Sequence, residues 1–558
     1  DGHENGYPYE GDGYGYPENG YDNGYPYQEN GYMPYQQVGY DENFPDPQNS
    51  GPDLYAPDRG YGMNEYDEET VRRNPMKKKD INSAYEENPV EDSPAEEPSG
   101  KKKKGKKKKQ ETEGAPESRK EQNKVFVKAS YFFVLMFLSL CGYLVYFNIA
   151  DRESINSNSY NTKQDTKDNM VIRGNIYSSD GEILATTNVA EDGSETREYP
   201  YDRVFAHVVG YASNGRSGTE STYNTELTSC HASLFEQIKN EAQDVKIQGD
   251  SVNLSLSTLL QRAAYDALGN YRGAVVIMEP STGRILAMVS KPDFSPASIS
   301  ADWESLNDEN SGSPLLNRAV QGLYPPGSTF KIITTLAYMR QHPNDYQNFV
   351  FNCEGLVTRD DVSITCYGGS VHGMEDLETA FKNSCNGAFA TIGTELDNAE
   401  FKKICESFGF NKDLSINMAS ADSRFTLAED ASYGEEMTTA IGQGDTLATP
   451  LQMALVASAV ANGGTLMKPY YVDSISTYDG DKVKTFKPSS YATVMSADEA
   501  ETIGNYMITT VQSGTASALS GASYTAAGKT GSAEYDTASG ERGTHSWFVG
   551  YTNVDTPE

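Results

Sequence analysis

One uncharged stretch constrains this chain more than any other feature. Residues 129–149 read ASYFFVLMFLSLCGYLVYFNI, 21 residues without a charge. At about 1.5 Å per residue a helix of that length spans roughly 30 Å, the thickness of a bilayer's hydrocarbon core. A helix in a globular core carries one apolar stripe, whereas this one is apolar all round, so a transmembrane helix is predicted. Lys101–Lys104, Lys106–Lys109, Arg119, Lys120, Lys124 and Lys128 precede it, while Asp151, Arg152, Glu153 and a Ser/Asn stretch follow. That bias predicts a cytoplasmic N-terminus and an extracytoplasmic body after about residue 150. The segment is long, lies far from the start and has no Ala-x-Ala site after it, so it reads as an uncleaved single-pass anchor in the cell membrane.

The anchor divides the chain into regions of different character. Residues 1–70 hold 16 acidic groups, one Arg and 13 Tyr, with near-repeats such as ENGYPYE, DNGYPYQ and ENGYMPYQ. Gly, Pro and Asn interrupt every periodic run, so 1–100 is predicted to be a disordered cytoplasmic tail. Its tyrosines fit either stickers for a partner or a solvated spacer. The Lys-rich juxtamembrane segment 101–128 fits a grip on anionic head groups, worth about 1 kcal/mol per charge. A pure topology signal accounts for it equally well. Residues 151–558 carry 28 basic and 53 acidic groups, within a whole-chain net charge of −34. An acidic body repels phosphate backbones, so no nucleic-acid partner is expected. Six Cys without a CxxC pair and six scattered His give no obvious zinc or iron–sulfur pattern, and no GxxxxGK[ST] loop is present. Neither a metal nor another cofactor is therefore expected.

Past the anchor, NMVIRGNIYSSDGEILATT (169–187) alternates around Ser-Asp-Gly as a hairpin does. LSLSTLLQRAAYDAL (254–268) has helical spacing, and GAVVIMEPSTGRILAMVS (273–290) reads as a buried hairpin around Pro-Ser-Thr-Gly. A boundary near residue 255 separates a module at 165–255 from a larger α/β body at 256–558.

Three short motifs in that body carry chemistry. In PPGSTFKII, Pro325-Pro326-Gly327 ends one element, and Phe330, Ile333, Leu336 and Ala337 recur at helical spacing, so a helix starts near Ser328. Ser328 and Lys331 then share a helical face, which lets a neutral lysine take the hydroxyl proton. Partial burial and nearby cations favour that neutral form. The second motif is Ser384-Cys385-Asn386, and the third is Lys529-Thr530-Gly531-Ser532, leading into HSWFVGY. The third reads as an edge-like strand followed by a buried one, with Gly531 admitting substrate backbone and Lys529 and Thr530 facing a carboxylate. Singly the motifs are weak: Ser99–Lys102 also matches the first, and Ser154–Asn156, Ser251–Asn253 and Ser415–Asn417 match the second. Their order, with gaps of 56 and 145 residues, is what makes them specific.

Together they resemble the class B penicillin-binding proteins, monofunctional peptidoglycan D,D-transpeptidases of the serine penicillin-recognising superfamily. The resemblance covers roughly 165–558. RGNIYSSDGEILA (173–185) is similar to the start of a pedestal or dimerisation module, and GQGDTLATPLQMA (442–454) to a transpeptidase block. It implies an α/β (α+β) body with a central antiparallel sheet flanked by helices, beside a small, mainly-β pedestal. The family finishes its fold with a strand and a helix that are expected beyond Glu558, so the body at 256–558 is read as C-terminally incomplete. The implied roles are Ser328 as nucleophile toward a D-Ala-D-Ala stem peptide, Lys331 as base and Ser384 as proton relay. Asn386 would hold the substrate amide, Lys529 would supply positive potential, and Thr530 with Ser532 would bind the carboxylate. Backbone N–H groups of Ser328 and Ser532 would form the oxyanion hole. The implied partners are peptidoglycan stem peptides, other cell-wall synthesis proteins, and β-lactams as covalent inhibitors.

Other readings compete with this one. A bifunctional synthase needs a glycosyltransferase domain, for which 151–255 is too short. A β-lactamase or β-lactam sensor shares Ser328 and Lys331, but the pedestal-like module argues against both. A catalytically inactive membrane scaffold conflicts with intact Ser328, Lys331, Ser384 and Lys529. Trp547 and Phe548 read as core and cleft wall, and Gln443, Gly444 and Asp445 receive no chemistry. Cys385 reads as a packed small residue or a redox-sensitive thiol. Cys353 and Cys366 flank a hairpin-like stretch where a disulfide is permitted.

Overall fold

The computed structural model describes residues 117–150, 171–231, 246–536, 542–554 and 556. The expected disordered tail, the lysine tract and the Ser/Asn stretch at 151–170 lie outside these residues. The apolar segment sits in one continuous helix, Glu117–Ala150. Its window Phe126–Tyr143 is long and apolar enough to cross a membrane and has none of its residues buried. Phe132, Leu135, Phe137, Leu138 and Tyr146 are all exposed around its circumference, which suits a lipid solvent and not water.

The pedestal is built on a mixed six-stranded sheet. Its order is Lys482–Thr485, Val472–Ser476, Ser251–Leu254, Ile176–Tyr177, Ile183–Val189 and Glu195–Glu198. The expected hairpin around Ser-Asp-Gly forms, closed by Ser178 N–H on Glu182 O at 2.9 Å, with Gly181 at φ 84°. Its Asp180 carboxylate accepts from the N–H and hydroxyl of Thr258, at the start of the helix Thr258–Leu268. A carboxylate at a helix N-terminus satisfies orphan donors there, so this turn braces the following body. Two strands of the sheet, at 472–485, come from far beyond the boundary expected near 255. Arg284 bridges to Asp473 in the same region. Inside the pedestal, Glu220 is fully buried between Arg173 and Arg197. Burial alone would raise its carboxyl, but the two guanidiniums outweigh this and hold it below the ordinary range.

In the body, Gly273–Glu279 and Arg284–Lys291 form the predicted hairpin. Leu260, Ala264 and Leu268 of the preceding helix pack on Ala287 and Val289. Among the described residues the antiparallel strands of the body's centre fall into two hairpins, this one and Ala526–Asp536 with Arg542–Thr552. Helices flank them. Lys331–Gln341 is buried from Lys331 to Met339, and Pro450–Ala461 is apolar almost throughout. Thr449 caps the latter through its hydroxyl, with Pro450 in the first turn, where a missing N–H costs nothing. Phe330 meets Phe401, Phe410 and Phe425, so the core sits directly under the turn that carries Ser328. One expectation reverses here. The Lys529 strand is the inward one, with Ala527, Lys529 and Ala533 fully buried, whereas in Arg542–Thr552 only Val549 is buried and Phe548 is 51% exposed. Phe548 is therefore not core, while its neighbours Trp547 and Tyr551 pack partly buried against the core and Val549 belongs to it.

Candidate active site

Ser328 lies in a single 3-10 turn, Gly327–Phe330, that feeds directly into the helix Lys331–Gln341. The predicted helix start near Ser328 is thus this tight turn, pinned by the Thr329 hydroxyl donating to Pro326 O at 2.7 Å. Gly327 has φ +55°, and a Cβ there would come within 2.7 Å of Ser532 O. Only glycine takes that conformation without strain and lets the nucleophile turn meet the third motif so closely. Gly327 N–H donates to Gly442 O at 2.8 Å, and a Cβ on Gly442 would strike Gly327 O. The Gly-Gln-Gly loop therefore supports the turn, a role that the sequence reading did not assign; its signal was the glycine pair itself.

Lys331 is completely buried. Its ammonium donates to Ser384 O at 2.8 Å and Asn386 Oδ1 at 2.8 Å, with Ser384 Oγ at 3.4 Å. The first two motifs are thus joined through one nitrogen. Burial pushes Lys331 down to about 7, although Cys385, Cys366 and Glu375 pull the other way. Ser384 occupies the left-handed region at φ 57° between the helices Leu377–Lys382 and Asn386–Gly393. A non-glycine residue there stores about 1–3 kcal/mol of strain, which the surrounding contacts must hold. Asn386 is engaged at both ends, since its Nδ2 donates to Thr365 O at 2.9 Å.

Lys529 is also fully buried, donating to Thr530 O at 3.0 Å and lying 5.7 Å from the Phe381 ring centroid. Burial, with the charge of Lys331 adding to it, holds Lys529 well below its ordinary range. Thr530 Oγ1 meets Thr515 Oγ1 at 2.6 Å, a partner that no sequence pattern indicated. A Cβ on Gly531 would lie 3.1 Å from both Thr329 N and Pro326 O, so the third motif runs flush against the nucleophile turn. The register pairs Gly531 with Trp547. Trp547 Nε1 donates to Pro325 O at 3.0 Å, holding the Pro-Pro-Gly approach. Ser328, Lys331, Ser384, Asn386, Lys529, Thr530, Gly531 and Ser532 are thereby brought together. The competing match Ser251–Asn253 sits in a pedestal strand instead, and Ser415–Asn417 lies outside any helix or strand. Ser99–Lys102 and Ser154–Asn156 lie outside the described residues.

The structure settles the pairing that the sequence leaves open. Cys353 and Cys366 are free thiols 3.6 Å apart, not a disulfide. Cys385 is buried as expected, but its neighbour is Cys366 Sγ at 3.8 Å, and Cys353 Sγ in turn lies 3.3 Å from His372 Nδ1. These four side chains are the described residues best able to hold a metal ion.

A serine at a helix entrance, two buried lysines and a strand of Lys-Thr-Gly-Ser beside them define a serine acyl-transferase of the penicillin-recognising type. Residues 273–558 match the penicillin binding protein transpeptidase domain, and 173–252 match the penicillin binding protein A dimerisation domain. The peptidoglycan D,D-transpeptidase PbpA of Mycolicibacterium smegmatis is 32% identical over 413 residues, covering 69% of this chain and 82% of that protein. A crystal structure of the D,D-transpeptidase domain of a peptidoglycan glycosyltransferase from Eggerthella lenta shares 34% identity. Its TM-score is 0.63, over 70% of this chain and 92% of that one. Penicillin-binding protein A of M. tuberculosis, solved as a ceftriaxone acyl-enzyme, gives 28% identity and a TM-score of 0.64, over 71% and 92%. The chain belongs to the penicillin-binding protein transpeptidase family.

Proposed function

We propose that the chain is a peptidoglycan D,D-transpeptidase that cross-links stem peptides through an acyl-enzyme on Ser328 and is covalently inhibited by β-lactams. The carrying observation is Lys331, buried at the helix entrance three residues after Ser328, held near neutrality and bonded to Ser384 and Asn386. Its free amine takes the Ser328 proton as Oγ bonds to the carbonyl carbon of the penultimate D-Ala. The resulting oxyanion is received by the backbone N–H groups of Ser328 and Ser532. As the C–N bond breaks, Ser384 passes a proton to the leaving amine, and the terminal D-Ala departs. An amine of a second stem peptide then attacks the ester and restores Ser328. Lys529 supplies positive potential, Thr530 and Ser532 bind the substrate's terminal carboxylate, Gly531 leaves room for its backbone, and Asn386 holds its amide as well as Lys331.

The helix Glu117–Ala150 anchors this body in the cell membrane, with the N-terminus cytoplasmic and the catalytic domain outside, where its polymer lies. Other cell-wall synthesis proteins are its expected partners, and nucleic acid is not. The test supplies a synthetic stem peptide ending in D-Ala-D-Ala together with an acceptor amine. Released D-Ala with a matching cross-linked product supports the reading. Rapid turnover of penicillin without cross-linking would instead mark a β-lactamase, and no acylation at all an inactive scaffold.

A further inference from the structure

Beside the acyl-transfer residues, a small lobe spanning residues 351–375 is short of a core. Its strands Phe351–Cys353, Leu356–Arg359, Val362–Thr365 and Gly373–Glu375 are three or four residues long and pair only two by two. Leu356, Tyr367, Val371 and Met374 point outward and are more than half exposed. The lobe buries Cys353, Ile364, Cys366 and Glu375, and Phe351, Val357 and Val362 pack partly buried against the main core beneath. So small a lobe ordinarily needs a staple in place of apolar burial.

The thiols supply its ligand set. The ligand atoms of Cys353, Cys366, His372 and Cys385 all lie within 4.8 Å of one another. The closest separations are 3.6 Å and 3.8 Å between sulfurs, and 3.3 Å between Cys353 Sγ and His372 Nδ1. A tetrahedral ion with sulfur at about 2.3 Å and nitrogen at about 2.0 Å places its ligands about 3.5–3.8 Å apart. A Cys353–Cys366 disulfide would use two of the four groups and leave an imidazole and a third thiol beside it without purpose. Backbone donors face two of the sulfurs: Ala388 N–H donates to Cys385 Sγ at 3.4 Å, and the Gly387 and Asn386 N–H groups face Cys366. The buried Glu375 carboxylate stands beside the imidazole, with Oε2 3.8 Å from His372 Nδ1.

We propose that Cys353, Cys366, His372 and Cys385 bind one zinc-class dication, and that this centre positions Ser384 and Asn386 for acyl transfer. Thiolate and imidazole donors select zinc over magnesium or calcium. On binding, the three thiol protons leave to solvent, three metal–sulfur bonds form, and neutral His372 donates through Nδ1, leaving the centre singly negative. Cys385 is at once a ligand and the middle residue of the second motif. Ligation therefore fixes the residue that follows Ser384's left-handed backbone and precedes the Asn386 side chain that receives Lys331. Only this positioning role rests on the acyl-transfer reading; the metal site stands without it.

The full chain, purified in detergent without chelators, should carry about one zinc per molecule by elemental mass spectrometry. Ser328→Ala should keep the metal, while Cys385→Ser and His372→Ala should lose it. Replacement by cobalt(II) should give the sulfur-to-metal charge-transfer and ligand-field bands of a tetrahedral thiolate site, a readout independent of how the variants fold. Chelation should lower the melting temperature and slow penicillin acylation at least tenfold, and added zinc should restore both. Absence of metal and of the cobalt bands would overturn the site, as would recovery of a Cys353–Cys366 disulfide by non-reducing peptide mapping. Bound zinc whose removal leaves acylation unchanged would overturn the positioning role.

Discussion

A buried lysine that cannot find a carboxylate gives up its proton at a far lower pH than one in water. Lys331 is in that position, pushed down to about 7 by burial while its nitrogen is held by Ser384 and Asn386. Below about 7 the ammonium form dominates and accepts no proton. Acylation of Ser328 by penicillin should therefore rise about tenfold per pH unit up to that region and level off above it. A profile that stays flat from pH 5 to 9 would exclude Lys331 as the base. Lys331→Ala should slow the acylation step by about 10²–10⁴-fold, typical of a lost general base, with reversible binding little changed. Thr530→Val should act differently, because in the proposed reaction its hydroxyl meets the carboxylate before and during the chemical step alike. It should weaken reversible binding by an amount reflecting a charged hydrogen bond, about 1.5–3 kcal/mol, with a smaller effect on the acylation step. Stopped-flow titration of acylation rate against penicillin concentration separates the two. Native-rate acylation in Lys331→Ala would sink the assignment.

At the scale of elements, the nucleophile turn and the Lys529 strand fit together through glycine backbone. Gly327→Ala places a methyl 2.7 Å from Ser532 O at a positive φ. It should cost about 1–3 kcal/mol in backbone strain alone and retard acylation. A variant with native melting temperature and native labelling would show that the turn can shift without consequence. This interlock explains what the sequence did and did not disclose. The hairpins at 176–189 and 273–291 were legible because their apolar alternation and Ser-Asp-Gly or Pro-Ser-Thr-Gly turns are local signals. Ser328 and Lys331 were legible because one helical turn relates them. The relative burial of the strands Ala526–Asp536 and Arg542–Thr552 was not, since Trp547 and Phe548 read as core and cleft wall whichever strand lies inward. Thr515 and the group of Cys353, Cys366, His372 and Cys385 were equally hidden. Their contacts arise from turns that bring residues 13 or more positions apart together, and no fixed spacing marks them.

For the whole molecule, the pedestal and body are not beads on a string. Strands at 472–485 complete the pedestal sheet, and Asp180 caps the helix that opens the body. The helix Glu117–Ala150, long and apolar enough to cross a membrane, is the proposed anchor of that combined unit. Protease added to intact protoplasts should digest residues after about 150 and spare the tail; the opposite pattern would overturn the proposed orientation. The central claim is that this architecture exists to make Ser328 an acyl acceptor. Its most direct test is mass spectrometry of the full chain after brief exposure to a penicillin, followed by peptide mapping. The account predicts a single adduct of one intact penicillin on the peptide containing Ser328, long-lived in buffer and absent from Ser328→Ala. An adduct on another residue, Cys385 foremost, or labelling that persists in Ser328→Ala, would contradict it.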